Sequence, residues 1–258
     1  MTKLSRKTIL VTHADHPVGR AAALACSEAG ARVLAHYEPA YSSGDALAKD
    51  LGLPAGDTIE ADLHIPEHPI NLWNAALDRA HRIDGLVNLS GIYKPSFMNG
   101  GDLMWMESWR RAIQVNLTAV VDLCRAAEPH FRANGAGVVV AASCPSDQET
   151  GGALDAACVA ARGGLVSFCR MLSRAYWQES ISIYALAPYE ADLTLAPERR
   201  GGMHDWVRNT PYPSVRDAET TGKLIAMMCA ESAPAYAELW HDSKLMRPEN
   251  QLPLAANS

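Results

Sequence analysis

The residues able to do chemistry in this 258-residue chain gather at a few places. His13, Asp15 and His16 share one short stretch, and imidazole with carboxylate is a metal-ligating combination. Neighbours along a loop need not converge on one ion, however, and no further ligand is indicated, so no metal centre is expected. Cys158 and Arg162 are four residues apart in a stretch of helical pattern, which puts both on one helix face. A thiol beside a guanidinium can be depressed in pKa and reactive, but the blander reading of Cys158, a buried small hydrophobe, is favoured. The six cysteines (Cys26, Cys124, Cys144, Cys158, Cys169, Cys229) form no CxxC pair and fall mostly in apolar context, as reduced buried thiols do.

Short β-branched runs alternate with longer amphipathic stretches, the pattern of a parallel sheet covered on both faces. Strands are expected at Thr8–Thr12, Arg32–His36, Thr58–Ala61, Gly85–Asn88, Gly137–Ala142, Ser182–Ala187 and Ala237–His241. Helices are expected at Gly19–Ala29, Ile70–His81, Met104–Ala133, Ala153–Glu179 and Ala218–Cys229. The fold class is therefore α/β, a Rossmann-type doubly wound parallel sheet of about seven strands with helices on both faces. Residues 1–243 form one such domain and 244–258 a tail containing Pro248 and Pro253. In this architecture ligands bind at the carboxyl ends of the strands, near the point where the strand order reverses. Function should be sought in the loops after Thr12, His36, Asn88, Ser143 and Pro188.

Composition narrows the classes further. Lys plus Arg number 23 against 29 Asp plus Glu, a formal charge of −6, and the basic residues are scattered. No nucleic-acid footprint and no membrane-surface patch are expected. No apolar run approaches the roughly 20 residues of a membrane helix, and Thr8–Val11 is too short for a signal-peptide core, so a cytoplasmic location is expected.

Val11-Thr12 followed by Gly19-Arg20, Asp62-Leu63, Asn88-Leu89-Ser90-Gly91, Asn116, Ser143 and Ala187-Pro188 resemble the ordered landmarks of the short-chain dehydrogenase/reductase family. The resemblance runs from Lys7 to about Asp242. It implies a dinucleotide loop of the form TGxxxGxG, whose glycines let the backbone approach a pyrophosphate at a helix N-terminus. The corresponding stretch, Thr12-His13-Ala14-Asp15-His16-Pro17-Val18-Gly19, keeps only the last glycine. His13 adds a ring, Pro17 removes a donor and Asp15 adds negative charge where phosphate would sit. Tyr37 falls near the position where the family places a ribose-binding acid, with Glu38 as a partial substitute. Asp62, on the adenine side, and Asn88 are retained, and both also serve structural roles in the family. The cofactor positions Thr12, Gly19, Tyr37, Asp62 and Asn88 thus form a degenerate set, and no cofactor is expected in this chain.

The resemblance also implies a Ser-Tyr-Lys constellation with an Asn from the preceding helix, in which Tyr exchanges a proton with the substrate oxygen and Lys lowers its pKa. Spacing from Leu172 to Pro188 places Cys158 at the Tyr position and Arg162 at the Lys position; a second register places Asp155 and Val159 there. Neither supplies the pair, and no tyrosine lies between Tyr93 and Tyr176 and no lysine between Lys94 and Lys223. A cysteine sulfur stops several ångströms short of where a tyrosine oxygen would act. Ser143 and Asn116 match the family and read equally as functional or relic. Asn116, Ser143, Cys158 and Arg162 are therefore not expected to be competent together.

On this resemblance the chain looks like the inactive partner subunit of a heteromeric hydroxyacyl-CoA-type dehydrogenase, such as that of the benzylsuccinate pathway of anaerobic toluene degradation. It would pair with an active, NAD-containing paralogue through helices 104–133 and 153–179, as a heterotetramer. Ala157, Ala160, Ala161, Gly163 and Gly164 suit close helix approach. The chain is also similar to halohydrin dehalogenases, whose Ser-Tyr-Arg set and T-x4-F/Y-x-G loop are partly matched by Thr12, Gly19, Ser143 and Arg162. Pro17 and Cys158 depart from that pattern. A divergent NAD(P)-dependent reductase is the third reading.

Overall fold

A computed structural model describes residues 4–91, 102–142, 156–176, 178–187, 218–230 and 239–241. The strands are β1 (Thr8–Val11), β2 (Arg32–Tyr37), β3 (Thr58–Glu60), β4 (Gly85–Asn88), β5 (Gly137–Ala142), β6 (Ile181–Ala187) and β7 (Leu239–His241). They form one sheet in the order β3-β2-β1-β4-β5-β6-β7, with every neighbouring pair parallel. This is the doubly wound sheet expected from the sequence. The order reverses between β1 and β4, which puts the crevice at the ends of those two strands.

The strands are apolar on both faces because helices cover both. Within β1, Leu10 packs toward α3 (His68–Ala80), α5 (Ala119–Asn134) and α6 (Ala156–Tyr176), while Ile9 and Val11 pack toward α1 (Pro17–Glu28), α2 (Gly44–Leu51) and α7 (Ala218–Ala230). The two-residue alternation of a strand divides the core into two halves. Trp73 and Phe131, with ring centroids 5.7 Å apart and nearly perpendicular, fill the first half. On the other side α1 and α7 cross so closely that a Cβ at Gly222 would lie 2.5 Å from the Ala21 carbonyl carbon.

Three departures from expectation have identifiable reasons. Helix α1 starts at Pro17 and not at Gly19, because proline at the first helical position loses no hydrogen bond and is already set near helical φ. Helix α2 was not anticipated, being only eight residues long. It is defined by its ends, with the Ser43 hydroxyl accepting from Ala46 N–H and Gly52 in the left-handed conformation, φ 64°. The expected helix Met104–Ala133 is α4 (Asp102–Ile113) and α5 joined by a π-helical turn at Gln114–Thr118. Single π turns inside α-helices are often found at functional sites.

The close crossing generates a test. Gly222→Ala should lower stability by about 1–3 kcal/mol through overpacking against α1, whereas Gly163→Ala, where a Cβ meets nothing within 4 Å, should raise it by about 0.5–1 kcal/mol. Urea midpoints of the two variants report the difference, and equal effects would refute the assigned helix packing.

Candidate functional site

The Thr12 hydroxyl fastens the crevice together. It donates to Asn88 Oδ1 (3.2 Å) and accepts from Leu89 N–H (3.0 Å), Ser90 N–H (3.2 Å) and the Ser90 hydroxyl (2.7 Å). The ends of β1 and β4 are thereby pinned, and Asn88 is left with a buried Nδ2 that has no partner among the described residues. Thr12 and Asn88 are brought together as joinery between strands.

The loop that follows turns at His13, whose φ is +55°, a conformation that β-carbon-bearing residues rarely adopt. A second histidine holds it there. His36, buried within β2, accepts the His13 N–H at Nδ1 (3.0 Å), and its Nε2 lies 3.1 Å from the Ala61 carbonyl. Nδ1 must accept, so Nε2 carries the proton and donates to Ala61, and the ring is a neutral bridge between loop, β2 and β3. Burial pushes its pKa down to about 4. Gly19 lies directly under this turn: a Cβ there would lie 2.0 Å from the His13 carbonyl oxygen. The retained glycine therefore serves close packing of α1 against the loop.

The His13 ring occupies the turn itself, stacked on Tyr41 (centroids 6.2 Å apart) and edge-on to His16 (5.4 Å). Burial first, then repulsion from His16, His36 and His64, pushes its pKa down to about 3, so it is neutral. Beside it, Asp15 Oδ2 accepts the Glu38 N–H at 3.1 Å, while Asp15 Oδ1 and Glu38 Oε1 are buried without partners among the described residues. Burial raises the Asp15 pKa. Burial, then repulsion from Asp62 and Asp15, pushes Glu38 up to about 7.

Tyr37 does not face this crevice. Its side chain leaves the other side of β2, lies against Gly44 and donates to Glu60 Oε2 at 3.2 Å. The strand pleat gives the crevice position to the next residue, Glu38. Asp62 accepts the His64 N–H (2.9 Å), and its Oδ1 is 2.9 Å from His64 Nδ1. Its burial raises its pKa, but these His64 bonds outweigh that and hold it below the usual carboxylate value. His36, Tyr41 and His64 were not singled out from the sequence. His36 had a visible signal, an imidazole inside the otherwise apolar run Val33-Leu34-Ala35; His64 and Tyr41 had none.

Several donors that a glycine-rich loop would turn toward a diphosphate are engaged here. The N–H groups of His13, Ala14 and His16 are used within the loop and its scaffold, by His36 Nδ1, the His36 carbonyl (2.8 Å) and the His13 carbonyl (3.1 Å). Pro17 has none, and the buried carboxyl groups of Asp15 and Glu38 lie beside the loop, where negative charge repels phosphate.

Further along the sheet, Asn116 sits in the π turn, where its Nδ2 lies 3.6 Å from the Sγ of the fully buried Cys158. A Cβ at Gly164 would lie 3.0 Å from Leu117, so α6 presses directly on this turn. Arg162 lies one turn after Cys158 on α6. Ser143, Asp155 and the segment after Pro188 lie outside the described residues. Among the described residues no group of three His, Cys, Asp or Glu side chains is arranged to hold a metal ion.

A seven-stranded parallel sheet reversing between β1 and β4, with a loop–helix turn at that reversal, defines the doubly wound, Rossmann-type α/β class. A family profile described as Enoyl-(Acyl carrier protein) reductase matches residues 13–237, and the chain belongs to the short-chain dehydrogenase/reductase family. It is 26% identical over 190 residues to a 3-oxoacyl-[acyl-carrier-protein] reductase of Synechocystis sp., covering 73% of this chain and 75% of that protein. It is 26% identical over 238 residues to a short chain dehydrogenase of Penicillium roqueforti, covering 90% and 84%. The fold is shared with a dehydrogenase/reductase from Sinorhizobium meliloti, at TM-score 0.75 and 18% identity over 90% of each chain. These relatives are oxidoreductases. No helix among the described residues is long and apolar enough to cross a membrane.

The Glu38 environment has a measurable consequence. A carboxyl group whose folded pKa is raised makes the fold less stable as pH climbs from its unfolded value of about 4.5 to its folded value of about 7. Below pH 6.5 the lowered pKa values of His13, His16 and His36 act in the opposite sense, so the carboxyl is read as a difference: in paired urea titrations Glu38→Gln should be more stable than the parent by up to about 3 kcal/mol at pH 8 and nearly equal to it at pH 5. A variant no more stable than the parent at pH 8 would contradict the buried, unpartnered carboxylate.

Proposed function

We propose that this chain is a non-catalytic subunit that pairs with an active, NAD-dependent paralogue of the same family in the cytoplasm. The observation that carries the reading is the missing proton-transfer pair, with no tyrosine between Tyr93 and Tyr176 and no lysine between Lys94 and Lys223. General acid catalysis needs a group within hydrogen-bond reach of the substrate oxygen. At the Tyr-equivalent position, in the register that aligns Leu172 to Pro188, Cys158 is buried against Asn116. The His13-to-Gly19 loop supports the same reading, because it keeps one glycine and the N–H groups of His13, Ala14 and His16 are engaged within the loop and its scaffold.

The pairing surface is proposed on α4, α5 and α6. One exposed stripe of α6 carries Ala160, Gly163, Ser167 and Met171, small enough along most of its length for a second helix to approach closely. Leu103 and Met104 extend an exposed apolar area on α4. In this arrangement the active subunit supplies NAD and the Tyr-Lys pair, and this chain completes an assembly built as in hydroxyacyl-CoA-type dehydrogenases such as that of the benzylsuccinate pathway. The small-molecule substrate is then bound by the partner.

Purification from the native host should co-isolate a family member with an intact Tyr-x-x-x-Lys motif, and calorimetry of the pure chain with NADH should show no binding. Gly163→Leu should leave the isolated chain folded, since a Cβ there meets open space, and abolish co-purification. Micromolar NADH affinity, or halide release from a vicinal halohydrin by the chain alone, would overturn the reading.

A further inference from the structure

Asn134 is followed by Gly135, and glycine has no Cβ to obstruct approach of an asparagine side-chain amide to the next backbone nitrogen. Asn134 is the last residue of α5, and Gly135 ends the helix in the left-handed conformation, φ 70°, with its N–H donating to the Arg132 carbonyl at 3.0 Å. The place is open to water. Asn134 is half-buried, Gly135 and Ala136 are exposed, and a Cβ at Gly135 would meet nothing within 4 Å. It lies where α5 turns into β5, at the opposite end of the sheet from the crevice.

One imidazole, a helical turn earlier, restrains the amide. His130 Nε2 accepts the Ile83 N–H at 3.0 Å, so the ring proton sits on Nδ1 and Nε2 offers only a lone pair. The Asn134 amide nitrogen lies 2.8 Å from the same Nε2 and presents an N–H to it, since the amide oxygen would oppose that lone pair. The ring is set edge-on to Trp73, with centroids 6.0 Å apart. For the amide carbon to reach the Gly135 nitrogen, the side chain must leave His130, Asn134 must leave its helical backbone angles, and Gly135 must give up its bond to Arg132.

We propose that Asn134 is a site of spontaneous deamidation and that His130 sets its rate. The Gly135 nitrogen forms a bond to Asn134 Cγ, the Cγ–Nδ2 bond breaks, and ammonia departs with the Gly135 amide proton, leaving a succinimide ring. Water then adds to either ring carbonyl and reopens it, to aspartate or to isoaspartate. The sum is amide plus water to carboxylic acid plus ammonia, with nothing oxidised or reduced. The product disturbs the junction. A carboxylate at position 134 sets an acceptor against the His130 lone pair and negative charge at the negative end of the α5 dipole. Isoaspartate also lengthens the backbone just before Gly137, where a Cβ would lie 2.3 Å from the Phe131 ring. The site does not depend on whether the chain pairs with a paralogue.

The test incubates the purified full-length chain at pH 8, folded and in urea, and follows Asn134 by peptide mass mapping, with the Asn99-Gly100 pair of the same sequence as a reference. In urea the two pairs should convert at similar rates. In the folded chain Asn134 should convert more slowly, to a mixture of aspartate and isoaspartate. His130→Ala removes the acceptor and should speed folded-state conversion by roughly two- to tenfold, the rate equivalent of one hydrogen bond. His130→Gln, whose side-chain oxygen reaches about as far as Nε2, should stay near the parent rate. Urea midpoints give the unfolded fraction of each variant, and the rates compared are those left after the contribution of that fraction is subtracted. Four results would overturn the proposal: no conversion in the folded parent over many half-lives of the unfolded chain, conversion as fast folded as unfolded, a folded rate unchanged by His130→Ala, or a rate in His130→Gln as high as in His130→Ala.

Discussion

One neutral imidazole holds the reversal point of this sheet in its shape. His36 takes a backbone proton from the β1–α1 loop on one side and gives its own to the carbonyl after β3 on the other. Protonating it would replace the acceptor at Nδ1 with a second donor facing the His13 N–H. The burial that keeps it neutral is therefore what permits the left-handed turn at His13, and with it the placement of every side chain in the loop.

Two older-looking fastenings work beside this bridge. Thr12 ties β1 to β4 through four contacts to its hydroxyl, and Gly19 lets α1 come against the loop. Both can serve any loop of similar path, which explains how the scaffold tolerates replacement of the other glycines. What changed is the polarity of the lining. A concavity that in a glycine-rich loop presents N–H groups is lined here by carboxyl groups and a ring.

The sheet was legible in the sequence because burial on both faces demands continuous apolar runs, and Thr8–Val11, Gly85–Asn88 and Gly137–Ala142 have them. Helix α2 was not, because eight residues give too few turns for a period to show. At the site, the missing glycines and the missing Tyr-Lys pair could be read directly, since both are matters of residue type. The direction of a side chain could not. Tyr37 ends β2 and Glu38 follows it, and only the alternation of the extended chain decides that the carboxyl, and not the phenol, lies on the crevice side. The His13–His36 bond was equally invisible, joining residues on different elements whose separation in sequence carries no period.

The π turn at Gln114–Thr118 has a mechanical implication. Such a turn houses one residue more than an α-helix would, so the helix before it is rotated by roughly 100° relative to the helix after it. Asn116 and the seat of Cys158 lie inside that extra winding, and the outward azimuth of Leu103 and Met104 is set by it. Lengthening or shortening this segment by a single residue would leave α5 in its bed against the sheet while turning α4 about its own axis, presenting a different stripe to whatever lies outside.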